Sequence, residues 1–206
     1  MKGSLTVLAC FAAGCLCGLW GQFGPAVHDV SMYVLYLLMF QVGIGIGGNR
    51  QLRSLLATLK PRMLLAPLAT VTGTLLFSAL ASLLLSQWSV ADCLAVGSGF
   101  AYYSLSSILI TQFKEPTLGL QLATELGTIA LLTNIFREMM ALVGTPLLSK
   151  YCGRLAPVSA AGVGSMDVLL PVITRYSGRD IIPLALLHGM LVDFSVPFFV
   201  SFFCQL

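Results

Sequence analysis

The sequence predicts an all-α polytopic membrane protein with five spanning helices and two opposed re-entrant hairpins, an inverted-repeat architecture of the secondary-transporter type. The chain is 57% hydrophobic and only 9% charged, whereas a soluble domain is about 25% charged. Two breaks rich in glycine and serine, at 97–107 and 162–167, interrupt long apolar runs. The basic residues are gathered in short loops, which orients the crossings.

The first two spans are apolar runs at 4–20 and 30–47. Each is close to the 17–25 residues that a membrane-spanning helix needs. A cleaved signal peptide is the alternative for the first run, but the apolar stretch before Cys10 is very short and apolar residues continue past it. The loop at 49–62 is the most basic in the chain, with Arg50, Arg53, Lys60 and Arg62. Because cytoplasmic loops are enriched in Lys and Arg, we expect this loop and the N-terminus in the cytoplasm.

The remaining spans are expected at 63–85, 116–149 and 180–204. They form, with the two breaks between them, a predicted transport core at 63–206. Residues 1–62 form a two-helix unit that serves as scaffold or interface. The last span then ends outside the cytoplasm.

The second basic loop, which contains Lys150 and Arg154, indicates whether the two broken segments cross the membrane or return to the side from which they enter. If 92–112 crossed the membrane, Lys150 and Arg154 would lie outside, against the positive-inside rule. A hairpin that enters from outside at 92–112 returns them to the cytoplasm, and 157–177 becomes a hairpin that enters from inside. Lys114, beside Glu115, is the one basic loop residue left outside.

A weak internal repeat agrees with this topology. The string VGS occurs at 96–98 and again at 163–165, and Pro116 and Pro183 each lie near the start of the following helix. The two hairpin-plus-helix units are inverted relative to one another. Broken elements that meet at the midplane are where secondary transporters bind their substrates.

Glu138 is the first candidate for the site. It lies 12 residues before Lys150, which puts it about 18 Å from the inner interface and near the middle of a hydrocarbon core of about 30 Å. A carboxylate at that depth marks a functional site. Asn134 lies one turn away on the same face. The structural alternative for Glu138 is a buried pair with Arg137.

The second break supplies Asp167, near the deepest point of its hairpin, and its neighbour Ser165. The alternative role for Asp167 is to cap a helix at 168–174. The first hairpin offers hydroxyls that suit an ammonium group or a hydrated cation, unless they only satisfy backbone groups or allow tight packing; these are Ser98, Tyr102, Tyr103, Ser104, Ser106 and Ser107.

The last helix holds two candidates for a proton relay, His188 and Asp193, which do not share a helix face. A packing histidine with satisfied hydrogen bonds is the alternative for His188. No cysteine pair has zinc-ligand spacing beside a histidine, so we expect no metal or other cofactor. The basic residues act as topology signals, so nucleic acid is not an expected partner, whereas the lipid bilayer is.

Several strings resemble the LysO-type lysine exporters. They are YYSLSSILIT at 102–111, the pair Arg137-Glu138, GVGSMDVLLPVITR at 162–175, and Pro183 followed by His188-Gly189. The resemblance implies export of L-lysine, and of lysine analogues, across the bacterial inner membrane. It also implies dependence on an intramembrane acidic pair, which the motif match assigns to Glu138 and Asp167.

Single-chain members of that family are longer at the N-terminus, and some bacteria encode the family in two pieces. The resemblance therefore implies a small separate membrane subunit, a homo-oligomer, or both. Asp193 has no counterpart in the family motif and is expected to add a site or to change the ion coupling.

Lysine is a cation, so its export against an inside-negative potential costs about 2.3 kcal/mol per 100 mV. Proton antiport offsets that charge if lysine and protons compete for the two carboxylates; Na⁺ is the alternative coupling ion. Three other functions stay open. They are a sodium-coupled organic-anion carrier, an intramembrane hydrolase that uses Ser165 or Asp167, and a non-transporting subunit or channel. Against the hydrolase, the sequence contains no Gly-x-Ser-x-Gly string around a nucleophilic serine.

Overall fold

The computed structural model describes residues 61–206 and a few isolated helical positions before them. The chain divides into two compact units, Met1–Gly47 and Gly48–Leu206, and all the helices named here belong to the second. The spans predicted at 4–20 and 30–47, and most of the first basic loop, lie outside the described residues and stay predictions.

From residue 61 onward the regular structure is entirely helical, which confirms the all-α class. Three short 3-10 turns accompany the helices, at Pro61–Leu64, Gly162–Met166 and Arg179–Ile181. The seven helices of this region are α1 (Leu65–Ser82), α2 (Val90–Gly97), α3 (Tyr103–Leu118), α4 (Leu120–Tyr151), α5 (Ala156–Ala161), α6 (Leu170–Ser177) and α7 (Ile182–Cys204).

Three stretches of the described region are long and apolar enough to cross a membrane: Arg62–Ser82, Leu120–Tyr151 and Arg179–Cys204. They coincide with the predicted spans at 63–85, 116–149 and 180–204, apart from one boundary. Pro116 was expected to begin the long helix, but it lies in the last turn of α3. The chain reverses at Gly119, whose φ of +80° is a conformation that glycine adopts without strain.

The first broken segment, α2 and α3, returns to the end from which it starts. Asp92 in the first turn of α2 and Lys114 near the end of α3 form an ion pair, with Lys114 Nζ 2.8 Å from Asp92 Oδ1. Both side chains are more than nine-tenths buried. Ser89 completes a capping box with Asp92, donating to it from both its backbone N–H and its hydroxyl. The pair therefore closes this hairpin at its base, beside the start of α4.

The second broken segment, α5 and α6, is closed in the same manner at the other end of α4. Arg154 donates to Asp180 Oδ1 over 2.5 Å and to the Ser177 carbonyl over 2.7 Å. Ser149, in the last turns of α4, donates to the Tyr176 carbonyl over 3.0 Å. The two hairpin bases thus lie at opposite ends of α4, and the first base is buried whereas the second is exposed.

Breaking the buried pair should destabilise the protein strongly. Lys114→Met leaves the Asp92 carboxylate buried and uncompensated, with an expected loss of about 3–5 kcal/mol in the free energy of unfolding. The double variant Asp92→Asn with Lys114→Met should regain much of that loss. Chemical unfolding in mixed micelles measures both. Arg154→Met is the matched control, because an exposed pair contributes about 0–1 kcal/mol. Equal losses in the two single variants would contradict this account.

The same pair makes a prediction about pH. Burial raises the pKa of Asp92, but hydrogen bonds from Lys114 and Ser89 outweigh it and hold the pKa below its ordinary value. A carboxyl with a lowered pKa stabilises the folded state above its unfolded pKa of about 3.9, and this is lost only as the pH falls through the lower folded pKa. The coupling energy of the Asp92–Lys114 double-mutant cycle should therefore be equal at neutral pH and at about pH 5. A coupling already lost at the milder acid pH would refute the assignment.

Candidate functional site

The tips of the two hairpins are joined by a backbone hydrogen bond, called here the tip contact. The N–H of Val163 donates to the carbonyl of Phe100 over 2.9 Å. Phe100 and Ala101 have φ values of +44° and +74°, which are uncommon and strained for residues other than glycine. Gly162 has φ +58°, and a Cβ there would lie 2.2 Å from the Phe100 oxygen. Only glycine allows the second break to approach the first this closely.

Asn134, near the middle of α4, holds the first tip. Its Oδ1 accepts from the N–H of Ala101 over 2.8 Å, and its Nδ2 donates to the Ala130 carbonyl over 2.9 Å. Longer contacts of 3.4 Å join Nδ2 to the Val96 carbonyl and to Ser106 Oγ. Asn134 therefore replaces the hydrogen bonds that the break between α2 and α3 removes.

Arg137, less than one turn further along α4, holds the second tip. Its Nε donates to the Ala160 carbonyl over 3.1 Å and its Nη2 to the Ser159 carbonyl over 3.2 Å. These are carbonyls at the end of α5, where a cation is favourable. The guanidinium carbon also lies 5.9 Å from the centre of the Phe100 ring. Within the described region Arg137 forms no ion pair with Glu138, so the alternative of a buried Arg137–Glu138 pair is wrong.

Three carboxylates lie around the tip contact. Asp167 interacts electrostatically with both Glu138 on α4 and Asp193 on α7. The hydroxyl of Tyr102 interacts with Asp167 and Asp193. Glu138 is half-buried, Asp193 is buried, and Asp167 is exposed. The fold thus brings Glu138 and Asp167, the two acids predicted for the site, near Asp193, predicted for a proton relay, and Tyr102, one of the predicted hydroxyls.

Asp167 does not cap a helix at 168–174. Its Oδ1 accepts from the N–H of its neighbour Val168 over 2.5 Å. The regular helix α6 begins only at Leu170, after Leu169. The 3-10 turn ends at Met166, so the chain passes Asp167 in a non-helical conformation. The Asp167 side chain is therefore exposed at the second break and does not cap a helix.

The predicted hydroxyls divide into two groups. Ser106 is buried, donates to the Tyr103 carbonyl over 3.3 Å, and contacts Asn134, so it belongs to the tip contact. Ser104 and Tyr103 are exposed, and Ser107 is half-buried with its carbonyl accepting from the Thr111 hydroxyl. Their part in binding stays a prediction.

His188 is buried between α1 and the second break. Its Nε2 lies 2.8 Å from Thr70 Oγ1, and its Nδ1 lies 3.0 Å from Ser165 Oγ. Each hydroxyl also reaches a helix carbonyl, Thr70 that of Ala66 and Ser165 that of Ala185. Either neutral tautomer of the ring is satisfied by turning these hydroxyls. The histidine joins α1 to the second tip, and its relay role stays a prediction.

Sequence reasoning missed how Arg137 acts. An arginine in the middle of an apolar helix is itself a signal of function, yet it was considered only as a partner for Glu138. The strained conformation of Phe100 and Ala101 has no signal in the sequence, because neither residue type favours a positive φ. From residue 61 onward no three His, Cys, Asp or Glu side chains are arranged to hold a metal ion.

A family model described as "Lysine exporter LysO" matches residues 8–204. This chain belongs to the lysine exporter LysO family. The resemblance in the serine-rich and Ser-Met-Asp strings is thereby confirmed.

Two curated relatives carry exporter names. "Lysine exporter LysO" of Escherichia coli strain K12 is 30% identical over 201 residues, which cover 97% of this chain and 64% of the relative. A "Putative lysine exporter" of Haemophilus influenzae is 28% identical over 191 residues, covering 92% of this chain and 90% of the relative. No solved structure matches. The LysO-family chain therefore spans less than two thirds of the E. coli protein it matches.

Gly162→Ala should weaken the tip contact. The added methyl would strike the Phe100 carbonyl and the positive φ would become strained, at an expected cost of about 1–3 kcal/mol in the free energy of unfolding. Thermal unfolding in detergent measures it. Gly73→Ala on α1 is the matched control, because nothing lies within 4 Å of a Cβ there and alanine favours a helix over glycine by about 1 kcal/mol. A Gly162→Ala protein as stable as the control would show that the tips do not touch.

Proposed function

We propose that this chain acts as a secondary transporter that exports L-lysine and lysine analogues across the bacterial inner membrane by proton antiport. The observation that carries the proposal is the tip contact with carboxylates gathered around it. Membership of the LysO family and the exporter names of its relatives support the substrate.

The proposed topology has five crossings and two re-entrant hairpins, with the N-terminus in the cytoplasm and the C-terminus outside. The lengths of the broken segments support it. Helices α2 and α6 have 8 residues each and α5 has 6, so each rises about 9–12 Å, far short of a hydrocarbon core of about 30 Å. The ion pairs at the two bases return each segment to its starting end. The irregular tips are buried in protein, as backbone at membrane depth must be.

In the proposed mechanism Glu138 and Asp167 bind the ammonium groups of lysine in exchange for protons. Protonation from outside releases the ammonium, and deprotonation toward the cytoplasm restores the site. One proton enters for each lysine cation that leaves. The exchange then moves no net charge and avoids the cost of about 2.3 kcal/mol per 100 mV of membrane potential.

The tip contact argues for a cation rather than an organic anion. A sodium-coupled anion carrier would bind its substrate with the amides of the hairpin tips. The N–H groups of Ala101 and Val163 are already bonded, to Asn134 and to Phe100. The donors of Arg137 are directed at backbone carbonyls and at Thr74. The carboxylates of Glu138 and Asp167, by contrast, interact with each other and would together attract a cation.

A hydrolase is less well supported. Ser165 and His188 do lie within hydrogen-bonding distance. The other ring nitrogen faces Thr70 and not a carboxylate, and a triad needs an acid there to orient the ring. Ser165 is also fully buried, away from any substrate.

Removal of either acid should abolish export without preventing insertion. Glu138→Gln and Asp167→Asn keep the shape of the side chain but lose its charge, so neither holds an ammonium or exchanges a proton. Counterflow of labelled lysine in proteoliposomes, at matched protein content, should fall to the background of empty liposomes. Glu125→Gln is the control on the same helix, because Glu125 is exposed and distant from the tips.

Rates like those of the wild type in both acid variants would refute the mechanism. Counterflow with labelled dicarboxylates instead of lysine would favour the anion carrier. We also propose a second copy of the chain or a small separate membrane subunit as partner. Activity that appears only when such a subunit is reconstituted with the chain would identify it as the required partner.

A further inference from the structure

Asp193 is a buried carboxylate whose hydrogen bonds are incomplete. Only 5% of the residue is exposed, and its Oδ1 has no hydrogen-bond partner among the described residues. It lies one turn after Gly189 on α7, and a Cβ at Gly189 would come within 2.6 Å of Met166 Cβ, next to Asp167. Asp193 therefore lies one turn from the point where α7 packs against the second break.

The nearby charge that acts on Asp193 is negative, like that of its own ionised carboxylate. Asp167, which follows the 3-10 turn Gly162–Met166, interacts electrostatically with Asp193. The buried cation Arg137 is directed instead at the carbonyls of α5. An ionised carboxylate buried without a counter-ion is very unfavourable, so in the absence of a bound cation the neutral acid is the favoured form.

Other ionisable groups on the elements packed against α7 do not supply that counter-ion. Helices α1 and α5 carry no ionisable side chain. Asp92 and Lys114 pair with each other, Arg175 lies over the ring of Tyr176, and Asp180 pairs with Arg154. The remaining ionisable residues on these elements, and on α7 itself, are Cys93, Tyr103, Glu115, Arg179, His188 and Cys204.

We propose that Asp193 carries the coupling proton of the exporter, while Glu138 and Asp167 bind the ammonium of lysine. This inference rests on the proposed function and revises one step of it, because it assigns the proton to a separate carboxylate, so that Glu138 and Asp167 bind the ammonium without exchanging protons themselves. The proposal follows from the burial of Asp193, its unpartnered oxygen and its position beside Asp167.

The coupling is electrostatic. When lysine binds beside Asp167, its positive charge favours the ionised form of Asp193, and the proton leaves toward the cytoplasm. When a proton from outside neutralises Asp193, the site loses one negative charge and the ammonium is released. One proton enters for each lysine that leaves, so charge is balanced.

Two transport assays on the whole chain in proteoliposomes separate the roles. Counterflow exchanges lysine for lysine and needs no proton, whereas accumulation driven by a pH gradient does. Asp193→Asn mimics the protonated acid permanently. Because a neutral side chain at this position weakens lysine binding, the variant should show counterflow only at a higher lysine concentration than the wild type, while the lysine gradient that one pH unit sustains should fall from about tenfold to about onefold. Glu138→Gln should lose both activities, and Asp193→Glu should restore coupling.

A binding measurement gives an independent readout. In weakly buffered detergent solution, lysine binding to the wild type should release about one proton per lysine bound, and binding to Asp193→Asn should release none. Proton release that persists in Asp193→Asn, or a pH-driven gradient equal to that of the wild type, would overturn the proposal.

The other possible outcomes also test the proposal that Asp193 carries the coupling proton. An Asp193→Asn protein that fails to fold, or that folds and shows no counterflow even at saturating lysine, would overturn it, because the amide is close in shape to the neutral acid. A wild-type protein without lysine counterflow, both alone and reconstituted with the separate membrane subunit, would overturn the proposed function, and this inference with it. Counterflow in the wild type with coupling intact in the variant would overturn this inference alone.

Discussion

The hydrogen bond from Val163 to Phe100 is the interaction on which the rest of the structure depends. Two helices are broken in a chain whose other long segments are apolar enough for a bilayer. Irregular backbone between such segments needs hydrogen-bond partners from the protein, since lipid offers none. The second tip supplies the donor, the N–H of Val163, and the first tip supplies the acceptor, the carbonyl of Phe100. Neither break is complete alone, so the two hairpins form one unit.

Helix α4 is the scaffold of this unit because of the order Asn134, Arg137, Glu138. Asn134 and Arg137 lie about one turn apart and reach the two tips, one through Ala101 and the other through Ser159 and Ala160. Adjacent helical residues diverge by about 100°. Glu138 therefore points away from the acceptors of Arg137, and its charge acts on Asp167 instead. A half-buried arginine and a half-buried acid are therefore adjacent in the chain without forming an ion pair.

The two hairpins are anchored unequally. The first has a 16-residue arm and a buried ion pair at its base. The second has arms of 6 and 8 residues and an exposed pair, which contributes about 0–1 kcal/mol. The second hairpin also carries Asp167. The less firmly held hairpin is thus the one that bears an acid of the site, and His188 is the side chain that ties its tip to α1.

The sequence by itself determined the helical class, the three candidate spans of the described region to within a few residues, and both breaks, because hydrophobic length is a local property. It also singled out Glu138 and Asp167 as candidates, because the cost of a buried charge can be judged from position along the chain. It also indicated the family. Only the tertiary structure decided that Asn134 and Arg137 serve different tips, that Lys114 pairs with Asp92, and that Asp193 faces Asp167. These are contacts between residues 22 to 33 positions apart or on separate helices, and no local pattern specifies them. The end of α3 was missed for a related reason, since the turn is made by the positive φ of Gly119 and not by Pro116.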